Sequence, residues 1–405
     1  MNNADIDAIA AWLVDRGLAG EHETELLNGF CARCGAAGLS LSRAVTIIDT
    51  LHPIYEGRAF RWRNDGVKED AIVEYGRTNQ GGQAAANWQS SPFYHLLTTG
   101  QDEMRRHLGP DDPLDFAILE TLKNEGQTGF MAFVHRFASS GTIGEMDSVY
   151  SWWVTQHPGG FTEAQAAALR RLLPALALGI KCASLKRIAG TLVEVYLGND
   201  AGQRVLDGKI SRGVADRINA VLWFSDLRGY TRITDTAPPR EIIPLLNDYA
   251  DVVISAIHEA GGDVLKLIGD GTLAIFKADD PGEACRSALR AEASLRQRLA
   301  ALNARRLAES RPVTTVYIGL HIGEVFYGNI GSEDRLDFTV VGPAVNEASR
   351  VSSMCRSVDR HVVLSADFVA ATPEPERSWI VSVGRYALRG VGRAQELFTL
   401  DPERL

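Results

Sequence analysis

The sequence lacks the features that mark several large classes of protein. In 405 residues, no stretch approaches the roughly 20 uninterrupted apolar residues of a membrane-spanning helix. The first residues, MNNADIDAIAAWL, have neither the basic n-region nor the apolar h-region of a signal peptide. Positive charge is scarce, since the net charge is −9, and nucleic-acid-binding proteins usually carry a basic surplus. We therefore expect a cytoplasmic protein with no membrane insertion and no nucleic-acid partner.

Cysteine is also sparse, and its pattern indicates no disulfide framework. The chain has five cysteines, an odd number. Cys31 and Cys34 form one C-x-x-C pair, but a zinc site needs two more ligands, and His22 is the only other soft ligand nearby in the sequence. A redox pair is the other alternative, and no βαβ pattern surrounds it. We expect both thiols to pack as small apolar side chains.

Two nucleotide-binding patterns are missing as well. The chain contains neither a Rossmann glycine fingerprint nor a P-loop, and it shows no internal repeat or low-complexity stretch. Its length allows two or three domains, each with its own core. Apolar residues make up 45% and charged residues 23%, as in ordinary globular proteins.

The first half of the chain divides into three segments. Residues 1–50 read as N-terminal helices. Residues 51–161 contain GRAFRWR, AIVEYG, GFMAFVHRFAS and SVYSWWVTQ, whose alternating or apolar runs predict an antiparallel sheet. Residues 162–213 read as a connecting helix and linker. The helix begins with a capping box at Thr162, and a glycine-punctuated connector follows it.

This order of elements, with the segment PGGFTEAQ…LL…LA, resembles a GAF-type sensor domain over about residues 40–190. The resemblance implies that residues 51–161 form a regulatory domain that binds a small molecule or dimerises. Aromatic side chains are candidates to line its pocket, with simple core packing as the alternative. They are Trp62, Trp88, Phe93, Trp152 and Trp153.

Residues 214–405 interleave helices and strands, which predicts an α/β (α+β) domain with a mostly antiparallel sheet. The predicted elements are a strand at 219–224, a helix at 239–260, a hairpin at 264–276, a helix at 281–308, a strand at 313–322, a short strand pair ending near 341, a helix at 344–354, and strands at 380–388 and 396–400.

Two carboxylates in this region are placed for phosphate chemistry. Val221–Phe224 is an apolar strand that ends beside Asp226, and the chain then turns through Gly229 towards a helix. Backbone N–H groups at such a turn suit phosphate oxygens, and a neighbouring carboxylate suits Mg²⁺ or Mn²⁺. Asp270 lies at the tip of the predicted hairpin, where turn chemistry is the alternative explanation. If hairpin and strand are neighbours, the two carboxylates converge on one point.

Four long motifs together closely resemble the catalytic domain of class III nucleotidyl cyclases. They are FSDLRGYT, DVLKLIGDGTLAIF, IGLHIGEVFYGNIGS and DFTVVGPAVNEASR, in the family's order over about residues 215–400. The resemblance implies a ferredoxin-like, palm-type fold. It also implies conversion of ATP to cyclic AMP, or of GTP to cyclic GMP, with release of pyrophosphate. The ribose 3′-hydroxyl attacks the α-phosphorus in line, assisted by two divalent ions, Mg²⁺ or Mn²⁺.

The resemblance assigns a role to each matching residue. Metal binding falls to Asp226, Leu227 and Asp270. The phosphate turn comprises Phe224, Leu227, Arg228, Gly229, Tyr230 and Thr231. Asn346 and Arg350 match the catalytic pair that stabilises the transition state, although spacing alone would favour a solvated helix face. Arg389 matches a residue that holds the terminal phosphates, and Pro343 replaces a more usual polar residue.

Two further positions match the purine-reading residues. Lys266 stands where adenylate cyclases have lysine and guanylate cyclases have glutamate, and a cationic donor there can bond adenine N1. Thr339 stands at the second position, as in a subgroup often reported to respond to bicarbonate. We therefore predict an adenylate cyclase. A guanylate cyclase and a nucleotide- or ligand-sensing module without turnover are the alternatives.

The family's geometry adds an expectation about assembly. Its sites lie at a two-fold interface, where one subunit supplies the metal aspartates and the other supplies the purine and transition-state residues. This chain carries both sets, so the resemblance implies a homodimer with two shared sites.

Overall fold

The computed structural model describes residues 1–138, 143–144, 146–389 and 394–401. They belong to two compact units, Met1–Leu192 and Val193–Leu405. None of the described helices combines the length and the apolar character needed to cross a membrane.

The N-terminal unit is built on a six-stranded antiparallel sheet in the order β3-β2-β1-β6-β5-β4. Its strands are β1 (Arg43–Asp49), β2 (Gly57–Arg63), β3 (Ile72–Tyr75), β4 (Glu103–His107), β5 (Gly129–Arg136) and β6 (Ser148–Thr155). Its helices are α1 (Asn3–Leu18), α2 (Glu23–Ala36), α3 (Gly82–Gln89), α4 (Pro92–Thr99), α5 (Ala117–Asn124) and most of α6 (Glu163–Leu197). The predicted antiparallel sheet and the predicted long helix are both confirmed.

Helices cover both faces of this sheet. Side chains of α1, α2 and α6 pack with one face in a core that contains Phe30 and Trp153. Side chains of α4 and α5 pack with the other face around Phe130 and Trp152. The burial of both faces explains why the strands read as apolar runs rather than as a strict alternation.

The prediction that residues 1–50 are helical is wrong for its last part. Arg43–Asp49 is strand β1, at the centre of the sheet between β2 and β6. Ala44 and Ile48 pack into one core and Val45 into the other. A short strand buried on both faces has no period-two pattern, so its sequence RAVTIID resembles a helix continuation.

The C-terminal unit contains an eight-stranded sheet in the order β13-β14-β12-β10-β7-β9-β8, with β11 paired to β10. Its strands are β7 (Ala215–Leu227), β8 (Asp263–Ile268), β9 (Gly271–Lys277), β10 (Val316–Gly331), β11 (Leu336–Val341), β12 (Val362–Ser365), β13 (Ile380–Tyr386) and β14 (Gln395–Leu400). Its helices are α7 (Asn199–Leu206), α8 (Tyr230–Thr236), α9 (Pro239–Glu259), α10 (Pro281–Ala308), α11 (Pro343–Val358) and α12 (Ala366–Ala371). Among the described strands only β12 pairs in parallel, with β10, so the predicted α/β fold with a mostly antiparallel sheet is confirmed.

The glycine-punctuated connector is more ordered than predicted. Its residues Asn199–Leu206 form α7, and Ala201 lies in a core of the C-terminal unit with Leu265 and Tyr327. A side-chain Cβ at Gly198 would lie 2.6 Å from the Val264 carbonyl oxygen. Glycine therefore allows the chain to pass close to β8 before α7 begins.

Candidate active site

Strand β7, a central strand of the sheet, positions Asp226 next to its last residue. The strand lies between β9 and β10, and Ser225 pairs with Thr272 while Asp226 pairs with Tyr317. The apolar residues before it are buried, and Trp223 has no exposed surface. Burial fixes the strand and leaves the carboxylate of Asp226 exposed just before the strand ends.

The β8–β9 hairpin brings the second carboxylate to the same place. Gly269 has φ +63°, a left-handed conformation that suits a two-residue turn. At Gly271 a Cβ would lie 2.7 Å from the Ser225 carbonyl oxygen, so a side chain there would push the hairpin away from β7. The backbone N–H of Leu227 donates to the Asp270 carboxylate at 3.3 Å. The predicted convergence of Asp226 and Asp270 is therefore present.

The electrostatics of the pair fit a cation site. Partial burial raises the pKa of Asp226 above its ordinary value, and the neighbouring charge of Asp270 raises it further, while Arg356 lowers it. Both carboxylates line a cavity of about 180 Å³ beside α9. A divalent ion between them would remove their repulsion, and carboxylates are the ligands that Mg²⁺ prefers. Of the predicted metal ligands, Leu227 has its N–H bonded to Asp270.

The turn after β7 leads directly into α8. The N–H of Arg228 donates to the Thr315 carbonyl at 2.8 Å, and Gly229 has φ +69°. Tyr230 and Thr231 form the first residues of α8, whose initial N–H groups have no partner within the helix. Phe224 differs from the other members of the predicted turn, because its side chain is half-buried against the core that contains Leu222.

Lys266 and Thr339 lie on strands β8 and β11, which are not paired with each other in the sheet. Lys266 on β8 forms an ion pair with Asp337 on β11. Thr339 follows two residues later on β11, so it shares a face of that strand with Asp337, and it is buried. The sequence analysis missed Asp337. Because alternate residues of a strand share a face, its position two residues before Thr339 could have indicated that Asp337 lies beside the purine-reading residues.

Asn346 and Arg350 lie on α11, and Pro343 is the first residue of that helix, a favoured place for proline. Asn346 is exposed and Arg350 half-buried. Neither side chain makes a hydrogen bond or ion pair with the described part of the chain. Arg389 is exposed in a turn after β13.

The two sets of residues are not brought together within one chain. The cavity beside Asp226 and Asp270 includes neither Asn346 nor Arg350. From α11, the residue whose charge shifts the pKa of Asp226 is Arg356, near the C-terminal end of the helix. Asn346 lies ten residues earlier, roughly 15 Å along the helix axis.

The N-terminal unit has a cavity of its own, of about 590 Å³, between the sheet and its helices. Trp88, Phe93 and Trp152 line it, as predicted. Trp62 and Trp153 instead pack with the core on the other face, so core packing, the alternative given for these side chains, holds for these two.

The Cys31 and Cys34 thiols are both buried in an apolar core. Burial raises the pKa of Cys31, with a further contribution from Cys34, and it raises the pKa of Cys34 to about 12. Neither belongs to a metal-ligand cluster of the described residues. The expectation that they are packing thiols is confirmed.

Comparison with known proteins identifies the C-terminal unit. Residues 215–401 match the family model of the adenylate and guanylate cyclase catalytic domain. The chain therefore carries a class III nucleotidyl cyclase domain. It is 36% identical over 171 residues to an adenylate cyclase of Anabaena cylindrica, an alignment that covers 41% of this chain and 33% of the relative. The chain thus matches about a third of that relative's length.

Solved structures with the same kind of domain are more distant. A bacterial light-regulated adenylyl cyclase is 24% identical with a TM-score of 0.46, covering 56% of this chain and 63% of the other. The guanylyl cyclase Cya2 is 26% identical with a TM-score of 0.41, covering 46% and 93%.

Proposed function

We propose that the C-terminal unit converts ATP to 3′,5′-cyclic AMP and pyrophosphate. The observation that carries this proposal is the convergence of Asp226 and Asp270, which is held by Gly271 and by the Leu227 N–H. With Leu227, these carboxylates would hold two Mg²⁺ or Mn²⁺ ions. Bound there, the ions would supply Lewis-acid activation of the 3′-hydroxyl and charge neutralisation on the phosphates.

The chain's own residues supply binding and orientation. The amides after Gly229, with Tyr230 and Thr231 at the start of α8, would donate to phosphate oxygens of the substrate. Asn346 would orient the ribose, and Arg350 would stabilise charge that develops on the triphosphate. Both side chains are free of other bonds in the described structure, so binding would break no existing contact there. Arg389, exposed in its turn, would hold the terminal phosphates.

Base selection is proposed to rest on Lys266 and Thr339. The Lys266 ammonium can donate to adenine N1, and its ion pair with Asp337 keeps it oriented before ATP binds. The Asp337 carboxylate of the same ion pair also supports the alternative that the substrate is GTP. The Asp337 carboxylate is an acceptor, and guanine presents N–H donors on the edge where adenine presents N1.

We further propose that the active form is a homodimer. Asn346 lies about 15 Å along α11 from Arg356, the residue of that helix whose charge lowers the pKa of Asp226. A second chain, related by a two-fold axis, can supply the missing half-set to each site. A monomer would then lack a complete site.

The N-terminal unit is proposed to be a GAF-like regulatory domain. Its aromatic cavity is large enough for a small ligand. Helix α6 leaves this unit and continues through Gly198 into α7, which packs beside β8 and therefore near Lys266. Movement of α6 would reach the purine site by this route. Bicarbonate is a second candidate effector, because Thr339 matches the subgroup reported to respond to it.

The first experiment measures cyclic nucleotide and pyrophosphate production by the purified full-length protein, with Mn²⁺ and then Mg²⁺, from ATP and from GTP. We expect cyclic AMP from wild type, at least about a hundredfold less from Asp270→Ala, and little change in Asp251→Asn. Asp251 is an exposed carboxylate on α9 and serves as the matched control.

Preferential turnover of GTP would replace the adenylate assignment with the guanylate one. Binding of an ATP analogue without pyrophosphate release under either metal would support the non-catalytic module. Equal activity of wild type and Asp270→Ala would contradict the proposed site.

A further inference from the structure

Three side chains with metal-binding atoms converge at a place that the cyclase reaction does not use. They are His321 on β10, Glu347 on α11 and Asp367 in the first turn of α12. One ring nitrogen of His321 and one carboxylate oxygen from each acid lie within 4.8 Å of one another. The cluster shares no residue with the cavity of Asp226 and Asp270.

The imidazole of His321 is buried and oriented. Its exposed fraction is 3%, and its Nδ1 lies 2.8 Å from Oγ of Ser365, which also accepts the N–H of Phe368. Its Nε2 faces Oε2 of Glu347 at 4.0 Å, too far for a hydrogen bond. No other described residue bonds to Nε2. A buried ring nitrogen is therefore aimed at a carboxylate without contacting it.

The protonation state of the ring suits a ligand. Burial lowers the pKa of His321, although the charges of Glu347 and Asp367 oppose this effect. The Ser365 hydroxyl can accept a proton from Nδ1 or donate one to it, and the tautomer with the proton on Nδ1 leaves the lone pair of Nε2 free to bind a metal ion. A hydrogen bond to the second ring nitrogen is the usual means of orienting a histidine that binds a metal.

The surroundings leave room beside Nε2 and fix one of the acids. A Cβ at Gly323 would lie 3.2 Å from Nε2 and 2.8 Å from the Ala344 methyl, so glycine keeps this space open. The side-chain amide of Gln395 donates to Oε1 of Glu347, which leaves Oε2 directed at the ring. Asp367 is exposed, and its side chain can rotate towards the other two.

We propose that His321, Glu347 and Asp367 bind one divalent transition-metal ion of the Zn²⁺ type, separate from the catalytic ions. A neutral imidazole with two carboxylates balances a 2+ charge, and the nitrogen donor favours Zn²⁺ or a similar ion over Mg²⁺. Zn–N and Zn–O bonds of about 2.0–2.2 Å require donors roughly 3.3 Å apart. To reach that range, the 4.0 Å between Nε2 and Oε2 of Glu347 must shorten by about 0.7 Å, and the exposed side chain of Asp367 must rotate towards both atoms. Water completes the fourth position.

Binding there would join three elements of the catalytic unit. Glu347 is the residue after Asn346 on α11, and Asp367 lies in the first turn of α12. An ion held between them would restrain the helix that carries Asn346 and Arg350. The site is therefore placed to influence the reaction without taking part in it.

The experiment is calorimetric titration of the full-length protein with Zn²⁺, in millimolar Mg²⁺ so that sites selective for oxygen ligands are filled. Parallel titration with Co²⁺, followed by visible absorption, reports nitrogen ligation. We expect one equivalent per chain with a Co²⁺ spectrum that shows imidazole coordination. This readout does not depend on cyclase activity.

Variants of the two acids decide the assignment without disturbing the buried histidine. Asp367→Asn and Glu347→Gln should each weaken Zn²⁺ binding at least about tenfold. Asp279→Asn, an exposed aspartate outside the cluster, should bind as wild type does. The double variant Asp226→Asn/Asp270→Asn should also bind one equivalent of Zn²⁺ per chain. Absence of binding in wild type, unchanged affinity in Asp367→Asn, or loss of binding in the double variant would each overturn the proposal.

Discussion

At the scale of single residues, the charge of Asp226 is expected to cost stability when no cation is bound. Its pKa is raised by burial and by Asp270. A folded-state pKa above the unfolded value means that the native chain keeps its proton to higher pH. Stability is therefore lost as the pH rises from the unfolded-state pKa through the folded-state pKa of Asp226. At pH 7 the carboxylate is charged in both states, and the full destabilisation is present.

We therefore predict that Asp226→Asn, though inactive, is more stable than wild type in EDTA at pH 7. Because the carboxylate is exposed, solvent screening limits the gain to about 0.5 kcal/mol, or roughly 1–2 °C in Tm. Thermal unfolding at pH 7 and below pH 4 measures it, since the gain should vanish where Asp226 is protonated. Asp251→Asn is the control. A gain that persists at low pH would point to a cause other than charge.

Sequence alone identified Asp226 and Asp270 because both follow short, strongly patterned segments. It missed Asp337, His321, Glu347 and Asp367, whose neighbours come from distant parts of the chain. The His321 cluster joins β10, α11 and α12. No local spacing reports such a meeting, because it depends on the order of strands in the sheet.

At the scale of elements, hydrophobic patterns predicted the helices and strands that have one exposed face. They failed for a strand that is buried on both faces. The amphipathic helices α9 and α11 were predicted at 239–260 and 344–354, and they span Pro239–Glu259 and Pro343–Val358. Strand β1 was missed because it packs on both sides. Helix α7 was missed because the glycines around it read as a flexible connector. The distances at Gly198 show that this glycine instead permits a close contact.

Gly198→Ala should therefore disturb the joint between α6 and α7. Its φ of +82° and the 2.6 Å approach to the Val264 carbonyl both oppose a side chain. We expect the unfolding free energy of the C-terminal unit to fall by about 1–3 kcal/mol. Cyclase activity should change with it, because Val264 lies two residues before Lys266 on β8.

Gly190→Ala is the matched control for that change. Gly190 lies within α6, and a Cβ there would meet nothing within 4 Å. Alanine favours a helix, so this variant should be as stable as wild type or slightly more so. Denaturant unfolding and initial rates of cyclic AMP formation compare the two. If both variants behaved alike, coupling through Gly198 would be ruled out.

At the scale of the whole molecule, the distribution of the site residues decides how many chains make one site. The carboxylates Asp226 and Asp270 form one half-set, and Asn346 and Arg350 form the other. About 15 Å of α11 separates Asn346 from the end of the helix that influences Asp226. Under the homodimer proposal, each site takes one half-set from each chain.

This arrangement predicts that two inactive variants restore activity when they are mixed. In a one-to-one mixture of Asp270→Asn and Arg350→Ala, about half of the dimers are mixed, and each mixed dimer has one intact site of two. The expected rate of cyclic AMP formation is about a quarter of wild type. A mixture of Asp226→Asn with Asp270→Asn, which damages the same half-set twice, should stay inactive. If each chain built its own complete site, neither mixture would recover, so the first mixture alone distinguishes a shared site from a site within one chain.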